Sequence, residues 1–124
     1  MHKTLLRPAL AVGLFLFAAA TADAASVDCA EAAHPDEIAI CQSRTLSELD
    51  VRMATLYGVR MKIPMLMGSH GTAQDEQSEF LVSRDACGAS TACLTMACQQ
   101  RIDVLKQEID AAMKNYCIKL GICG

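Results

Sequence analysis

Residues 84–94 constrain the fold most, because they combine a helix end, a tight turn and a helix start between two cysteines. Gly88 can adopt the left-handed backbone conformation that ends a helix. Ser90 or Thr91 can accept a hydrogen bond from the first exposed amides of the next helix. A disulfide at this point would join two helices at the corner they share, and the rest of the chain must be compatible with that corner.

The chain contains seven cysteines, and all of them lie after residue 28. Such cysteine usage indicates an oxidising compartment, and the odd count leaves at least one thiol single or paired with a second chain. Cys98 and Cys117 fall about 28 Å apart on one predicted helix, so they cannot bond to each other. Cys98 lies on an apolar stripe, so we expect a buried free thiol and a monomer, with a Cys98-linked dimer as the alternative. The expected disulfides are Cys29–Cys41, Cys87–Cys93 and Cys117–Cys123.

The first residues have the three regions of a secretory signal. Lys3 and Arg7 precede an apolar run over residues 9–20, and residues 22–24 suit cleavage after Ala24. The apolar run is shorter than the roughly 20 residues of a membrane-spanning helix. We therefore expect a signal peptide over 1–24 and a mature domain over 25–124, located in the bacterial periplasm or secreted, with no membrane contact after cleavage.

The mature domain would carry nine basic and thirteen acidic side chains, which gives a formal charge of −4. This charge argues against nucleic acid or an anionic membrane as a partner and is compatible with a basic protein. A chain of this size forms one small domain, in which cross-links compensate for a limited core. That core is expected to be aliphatic, because the mature chain has only three aromatic residues, Tyr57, Phe80 and Tyr116.

Helical periodicity dominates the mature sequence, and no strand pattern is comparable in strength. Pro35, followed by two acidic residues, favours a first helical turn. Ser43 or Thr45 can cap a second helix, and Pro64 stops it. The sequence therefore predicts an all-α, disulfide-stapled bundle of about four helices, one short and three longer. They cover about 35–41, 43 or 45 to 62, 74–86 and 91–115, with an irregular loop over 63–73.

Three of these helices have a defined inward face, which on the second helix consists of Leu46, Leu49, Met53, Leu56 and Tyr57. Apolar residues recur at helical spacing along the fourth helix, with charged residues opposite them. The third helix has a shorter inward face that includes polar side chains. The predicted inward residues are Gln77, Phe80, Leu81 and Arg84 on the third helix, and Leu94, Cys98, Ile102, Leu105, Ile109, Ala112, Met113 and Tyr116 on the fourth.

Arg84 is the one basic residue on the inward face of the third helix. A covered guanidinium usually has a carboxylate partner. Asp50 on the second helix is the expected partner, and Asp85 is the local alternative. We predict a structural ion pair between Asp50 and Arg84 rather than a contact from Arg84 to another protein.

The sequence lacks motifs that are typical of catalysis. His34 and His70 have no neighbouring Cys or Ser in a nucleophile motif, and the cysteine pairs 87/93 and 117/123 have five residues between them rather than two. The acidic pairs 36–37 and 75–76 are adjacent in sequence, which suits helix starts better than acid–base chemistry. We therefore expect no enzyme activity and no cofactor.

Soft ligands cluster before the third helix, at Met61, Met65, Met67 and His70. Thioethers and an imidazole can hold Cu(I) in a protein outside the cytoplasm. The simpler interpretation is that these methionines close the end of the bundle or form an adaptable contact surface. We favour the simpler interpretation and keep Cu(I) binding as an alternative function.

The order of several short motifs resembles the LprI-type lysozyme-inhibitor domain over residues 28–109. Phe80 stands where that family usually has Trp, and Cys98, Cys117 and Cys123 lie outside its pattern. The motifs that carry the resemblance are Asp28-Cys29, Ala39-Ile40-Cys41, Leu49-Asp50 with Leu56-Tyr57, Phe80-Leu81, and Arg84-Asp85-Ala86-Cys87-Gly88 with Cys93-Leu94.

The resemblance implies a small helical domain with paired cysteines that inhibits lysozyme. It supplies no binding site, which we predict separately from loop position and charge. The loop containing Gly68, Ser69, His70 and Gly71 is the candidate plug for a lysozyme cleft. Asp75, Glu76 and Glu79 are expected to face the basic rim of that cleft. The alternative is a module that binds another protein of the cell envelope.

Overall fold

The computed structural model describes residues 26–64 and 69–123, so the predicted signal peptide over 1–24 lies outside the described residues. The chain forms a small disulfide-stapled bundle of four helices, and the described residues contain no strand, which confirms the predicted fold class. None of the helices in the described part could cross a membrane, since none is both long and apolar enough. The helices are α1 (Pro35–Gln42), α2 (Arg44–Lys62), α3 (Ser69–Asp85) and α4 (Thr91–Leu120).

The helix starts follow local sequence signals. Glu37 accepts hydrogen bonds from the backbone amides of Ala33 and His34 at 3.2 Å, just before α1. Ser43 Oγ accepts from the amide of Leu46 at 3.3 Å, and Ser90 Oγ accepts from the amide of Cys93 at 3.4 Å. These side chains satisfy amides that have no partner within their own helix, which fixes where each helix begins.

The core lies along α4, which forms its most extensive interface with α2. One buried cluster joins α2, α3 and α4, and a second joins the front of the chain and α1 to the starts of α2 and α4. The first consists of Met53, Phe80, Cys98, Ile102 and Leu105, and the second of Val27, Ile40, Leu46 and Leu94.

The cysteines pair locally and hold the corners of the bundle. The Cα atoms are 5.7 Å apart in Cys29–Cys41, which closes the front segment onto α1. They are 5.5 Å apart in Cys87–Cys93, which joins α3 to α4, and 5.2 Å apart in Cys117–Cys123, which closes the end of α4. These are the pairs expected from the sequence. Cys98 is free and fully buried.

Helix α3 begins at Ser69, so the predicted loop over 63–73 is wrong from that residue onwards. Tertiary packing accounts for the earlier helix start, because Ala73, which lies one helical turn before Gln77, is completely buried. Extending the helix buries Ala73 at the cost of placing Gly71 inside it, about 1 kcal/mol relative to alanine. The candidate plug residues Ser69, His70 and Gly71 therefore lie in a helix rather than in a loop.

Two predictions about which side chains face the core are also wrong. Leu81 is 41 % exposed, because the buried face of α3 runs through Ala73, Gln77, Phe80 and Arg84, and Leu81 lies beside it.

Helix α4 continues to Leu120, five residues past the predicted end. At about 45 Å it is much longer than α2, and its last turns therefore have few neighbours. Met113 and Tyr116, predicted to face inward, are 51 % and 38 % exposed.

Candidate functional site

A buried ion triad joins three helices. Arg84 Nε donates to Asp36 Oδ2 at 2.8 Å, and Arg84 Nη1 donates to Asp50 Oδ1 at 3.1 Å. The second oxygen of Asp50 accepts from both the backbone amide and the hydroxyl of Ser26, at 2.7 and 2.6 Å. The triad therefore ties the front segment, α1, α2 and α3 together.

The triad is a structural joint. The side chains of Arg84, Asp36 and Asp50 are 8 %, 2 % and 0 % exposed, so their charges are directed at one another. The sequence prediction named Asp50 and missed Asp36, which it assigned to the helix start. Asp36 Oδ1 has no hydrogen-bond partner among the described residues. No sequence signal nearby marks a contact between residues 36 and 84.

A second polar cluster, between α2, α3 and α4, was not predicted. Arg60 Nε lies 3.0 Å from Glu108 Oε2. Arg101 is buried, donates from Nε to Gln77 Oε1 at 3.1 Å, and has Nη1 3.9 Å from Glu76 and 3.8 Å from Glu108. Arg101 lies three residues after Cys98 and four before Leu105, so its position on the inward stripe could have been read from the spacing.

Glu76 and Glu108 are neighbouring carboxyl groups in this cluster. Burial raises the pKa of Glu76, and a hydrogen bond with Glu108 and the charge of Glu108 raise it further. The nearby Arg101 and Arg60 guanidinium groups act in the opposite direction. A carboxyl group whose pKa is raised by its neighbours within the domain fits an internal contact better than a contact to a partner.

The predicted partner-binding residues all lie on α3, but the structure divides them. Asp75 and Glu79 are exposed one turn apart on the outer face of the helix. Glu76 turns toward α4 and joins the polar cluster. Ser69 and His70 are half-buried in the first turn. The outer face of α3 thus presents two of the three predicted carboxylates.

Of the four candidate Cu(I) ligands, Met65 and Met67 lie outside the described residues. Within residues 26–64 and 69–123, no three His, Cys, Asp or Glu side chains are grouped as metal ligands would be.

Negative charge is concentrated on two parts of the bundle. The front segment and α1, residues 26–43, contain four carboxylates and no Lys or Arg. Helix α3 contains four carboxylates and one Arg, which is the Arg84 of the triad. In α2 and α4, basic residues outnumber acidic ones. The two acidic parts are in contact, and His34 Nδ1 lies 3.5 Å from Asp85 Oδ1 where they meet.

An open groove of about 430 Å³ lies where the front segment meets α2 and α3, and we call it the front groove. Its lining includes carboxylates from the front segment and α1, and apolar side chains from all three parts. Arg84 is also part of the lining. The residues around it are Ser26, Val27, Asp28, Glu31, Glu37, Met53, Ala54, Tyr57, Gln77, Leu81 and Arg84.

Comparison of the chain with protein-family models, with curated proteins and with solved structures gives no match.

Proposed function

We propose that this protein is exported from a bacterial cell and binds and inhibits a lysozyme-type muramidase, without catalytic activity of its own. The observation that carries the proposal is the concentration of carboxylates on the front segment, α1 and α3. Vertebrate-type lysozymes are strongly basic, so a face of this charge would increase the association rate. The motif resemblance over residues 28–109 points to the same partner.

The proposed mechanism is occlusion of the active-site cleft. A lysozyme cleft contains two carboxyl groups, a general acid and an ionised carboxylate. The first turn of α3, with Ser69 and His70, carries backbone amides at the positive end of the helix dipole and suits contact with such carboxylates. Asp75 and Glu79, further along the outer face of α3, would meet the basic rim. The entering element is thus the start of a helix instead of the predicted loop.

The test is an inhibition assay with a panel of lysozyme types on cell-wall substrate. The protein is expressed as the full chain, exported to an oxidising compartment and purified without reductant. We expect at least one lysozyme type to be inhibited at micromolar protein. If no type is inhibited, the proposal is wrong, and binding of another envelope protein or of Cu(I) takes its place.

Charge reversal locates the contact. The double variant Asp75→Lys, Glu79→Lys should weaken inhibition by about tenfold, equivalent to about 1.4 kcal/mol, because two rim contacts become repulsive. The matched control is Asp103→Lys, Asp110→Lys, which makes the same charge change at exposed positions of α4. Equal losses in both variants would assign the effect to net charge and remove α3 from the interface.

A further inference from the structure

We infer that the front groove binds the arginine side chain of a basic protein partner, with its carboxylates around the guanidinium and its apolar wall along the aliphatic stem. The inference rests on the proposed function for the kind of partner. It goes beyond that function by adding a specific anchor site where the front segment meets α2 and α3. The groove combines an apolar wall with a charged rim.

The rim supplies carboxylate oxygens that are still free to accept. Glu31 is exposed and has no ion-pair partner among the described residues. Asp28 uses Oδ1 for the amide of Ala30, and Glu37 uses Oε2 for two backbone amides, so each keeps its other oxygen. Three carboxylates with free oxygens on one rim favour a cation with several N–H donors.

The floor of the groove does not oppose a cation, although Arg84 is part of it. Arg84 is held by the carboxylates of Asp36 and Asp50, and the triad as a whole carries one net negative charge. A buried cation that already has two carboxylates presents little positive field to a ligand above it. The triad beneath the groove therefore adds one net negative charge to the carboxylates of the rim.

The apolar part of the lining favours arginine among cations. Tyr57 offers an aromatic ring, against which a planar guanidinium can stack. Ala54 and Leu81 provide apolar surface for the methylene groups of the stem. Leu81 is a large apolar residue left exposed beside the buried face of α3, and an arginine stem would cover it.

The test is a titration of the full-length oxidised protein with N-acetyl-arginine amide, followed by NMR chemical shifts. N-acetyl-norleucine amide is the neutral comparison of similar length. We expect saturable shifts at Glu31, Tyr57 and Leu81 with the arginine probe and none of that size with norleucine. Norleucine shifts equal to those of arginine, or arginine shifts that do not saturate at these residues, would overturn the inference.

Two pairs of variants separate the effects of charge and stacking from effects on folding. Glu31→Gln should weaken the arginine probe by about two- to fivefold, the range of one exposed ion pair, whereas Asp110→Asn on α4 should leave it unchanged. Tyr57→Phe should retain binding, and Tyr57→Leu should weaken it. Equal weakening by Glu31→Gln and Asp110→Asn would refute a specific groove.

The outcomes are distinguishable from those of the lysozyme assay. Binding of the arginine probe by a protein that inhibits no lysozyme would preserve the groove and remove the proposed function. If the protein inhibits lysozyme fully but does not bind the arginine probe in the front groove, the proposed function stands and the arginine site is refuted.

Discussion

Arg84 Nε and Asp36 Oδ2 lie 2.8 Å apart although 48 residues separate them in the chain. The bond joins the last turn of α3 to the first turn of α1, and the same guanidinium also holds Asp50 of α2. Three of the four helices therefore depend on one side chain for their relative placement.

Arg84→Ala should be severely destabilising. It leaves two buried carboxylates without their cation, which costs about 3–5 kcal/mol. In a domain of this size each kcal/mol lowers the melting temperature by about 4–8 °C. Thermal unfolding followed by circular dichroism measures the change, and peptide mapping without reduction should still find the three disulfides.

The control is Arg44→Ala, because Arg44 pairs with Glu48 in an exposed i, i+4 contact on α2. It should leave the melting temperature unchanged. An unchanged melting curve for Arg84→Ala, together with lost lysozyme inhibition, would instead make Arg84 a contact to the partner.

The disulfides at the two ends of the domain should differ in their effect on stability. Replacing Cys29 and Cys41 by Ser should lower the free energy of unfolding by about 2–3 kcal/mol, because the loop they close packs on the core. Replacing Cys117 and Cys123 should change it little, because the exposed last turns of α4 can open without the core. Urea unfolding measures both, and equal losses would show that the end of α4 belongs to the cooperative unit.

Cys98 should be inert in the folded protein. Burial raises the pKa of its thiol, and the charge of Asp50 raises it further, while Arg84 acts against both. The thiolate is the reactive form, so alkylation by iodoacetamide at pH 8 should occur only on unfolding. Mass spectrometry with and without denaturant gives the comparison. Rapid reaction in the folded state, or a Cys98-linked dimer, would mean that α4 packs on another face.

The Glu76–Glu108 pair should make stability depend on pH. Because folding raises the pKa of Glu76 above its ordinary value of 4.5, the contribution of Glu76 is complete below that value and is lost as pH rises through the folded pKa. Glu76→Gln, which mimics the protonated group, should remove this dependence. NMR titration of the Glu76 carboxyl carbon tests the shift directly, and an unshifted value in the native protein would contradict the raised pKa of Glu76.

Local signals in the sequence were sufficient for the number of helices and for the starts of α2 and α4. Ser43 and Ser90 begin α2 and α4 because their hydroxyls serve nearby amides, and such contacts can be inferred from a few residues. The start of α3 could not be inferred in this way, because Pro64 and Gly71 oppose a helix locally and the burial of Ala73 outweighs them. The front groove was also hidden, because its parts come from distant stretches of the chain.

Polar residues inside the bundle were the least predictable part of the site. Asp36 has an adequate local explanation as a helix-start carboxylate, so nothing in its surroundings points to Arg84. Arg101 lies on the inward stripe of α4, but it was missed because only apolar residues were used to define that stripe. Of the predicted partner contacts, Asp75 and Glu79 lie on an outer face, and Glu76 lies half-exposed beside α4, 3.9 Å from Arg101 Nη1.

Each disulfide joins cysteines that are close in sequence, at separations of 12, 6 and 6 residues. Short loops close fastest, so these pairs form ahead of long-range ones. Cys98, five residues after Cys93, is the nearest competitor, and its burial in the first core cluster withdraws it once α4 has packed. The order of the cysteines along the chain therefore favours oxidation without reshuffling, and correct pairing should be reached with an oxidant alone, with no need for a disulfide isomerase.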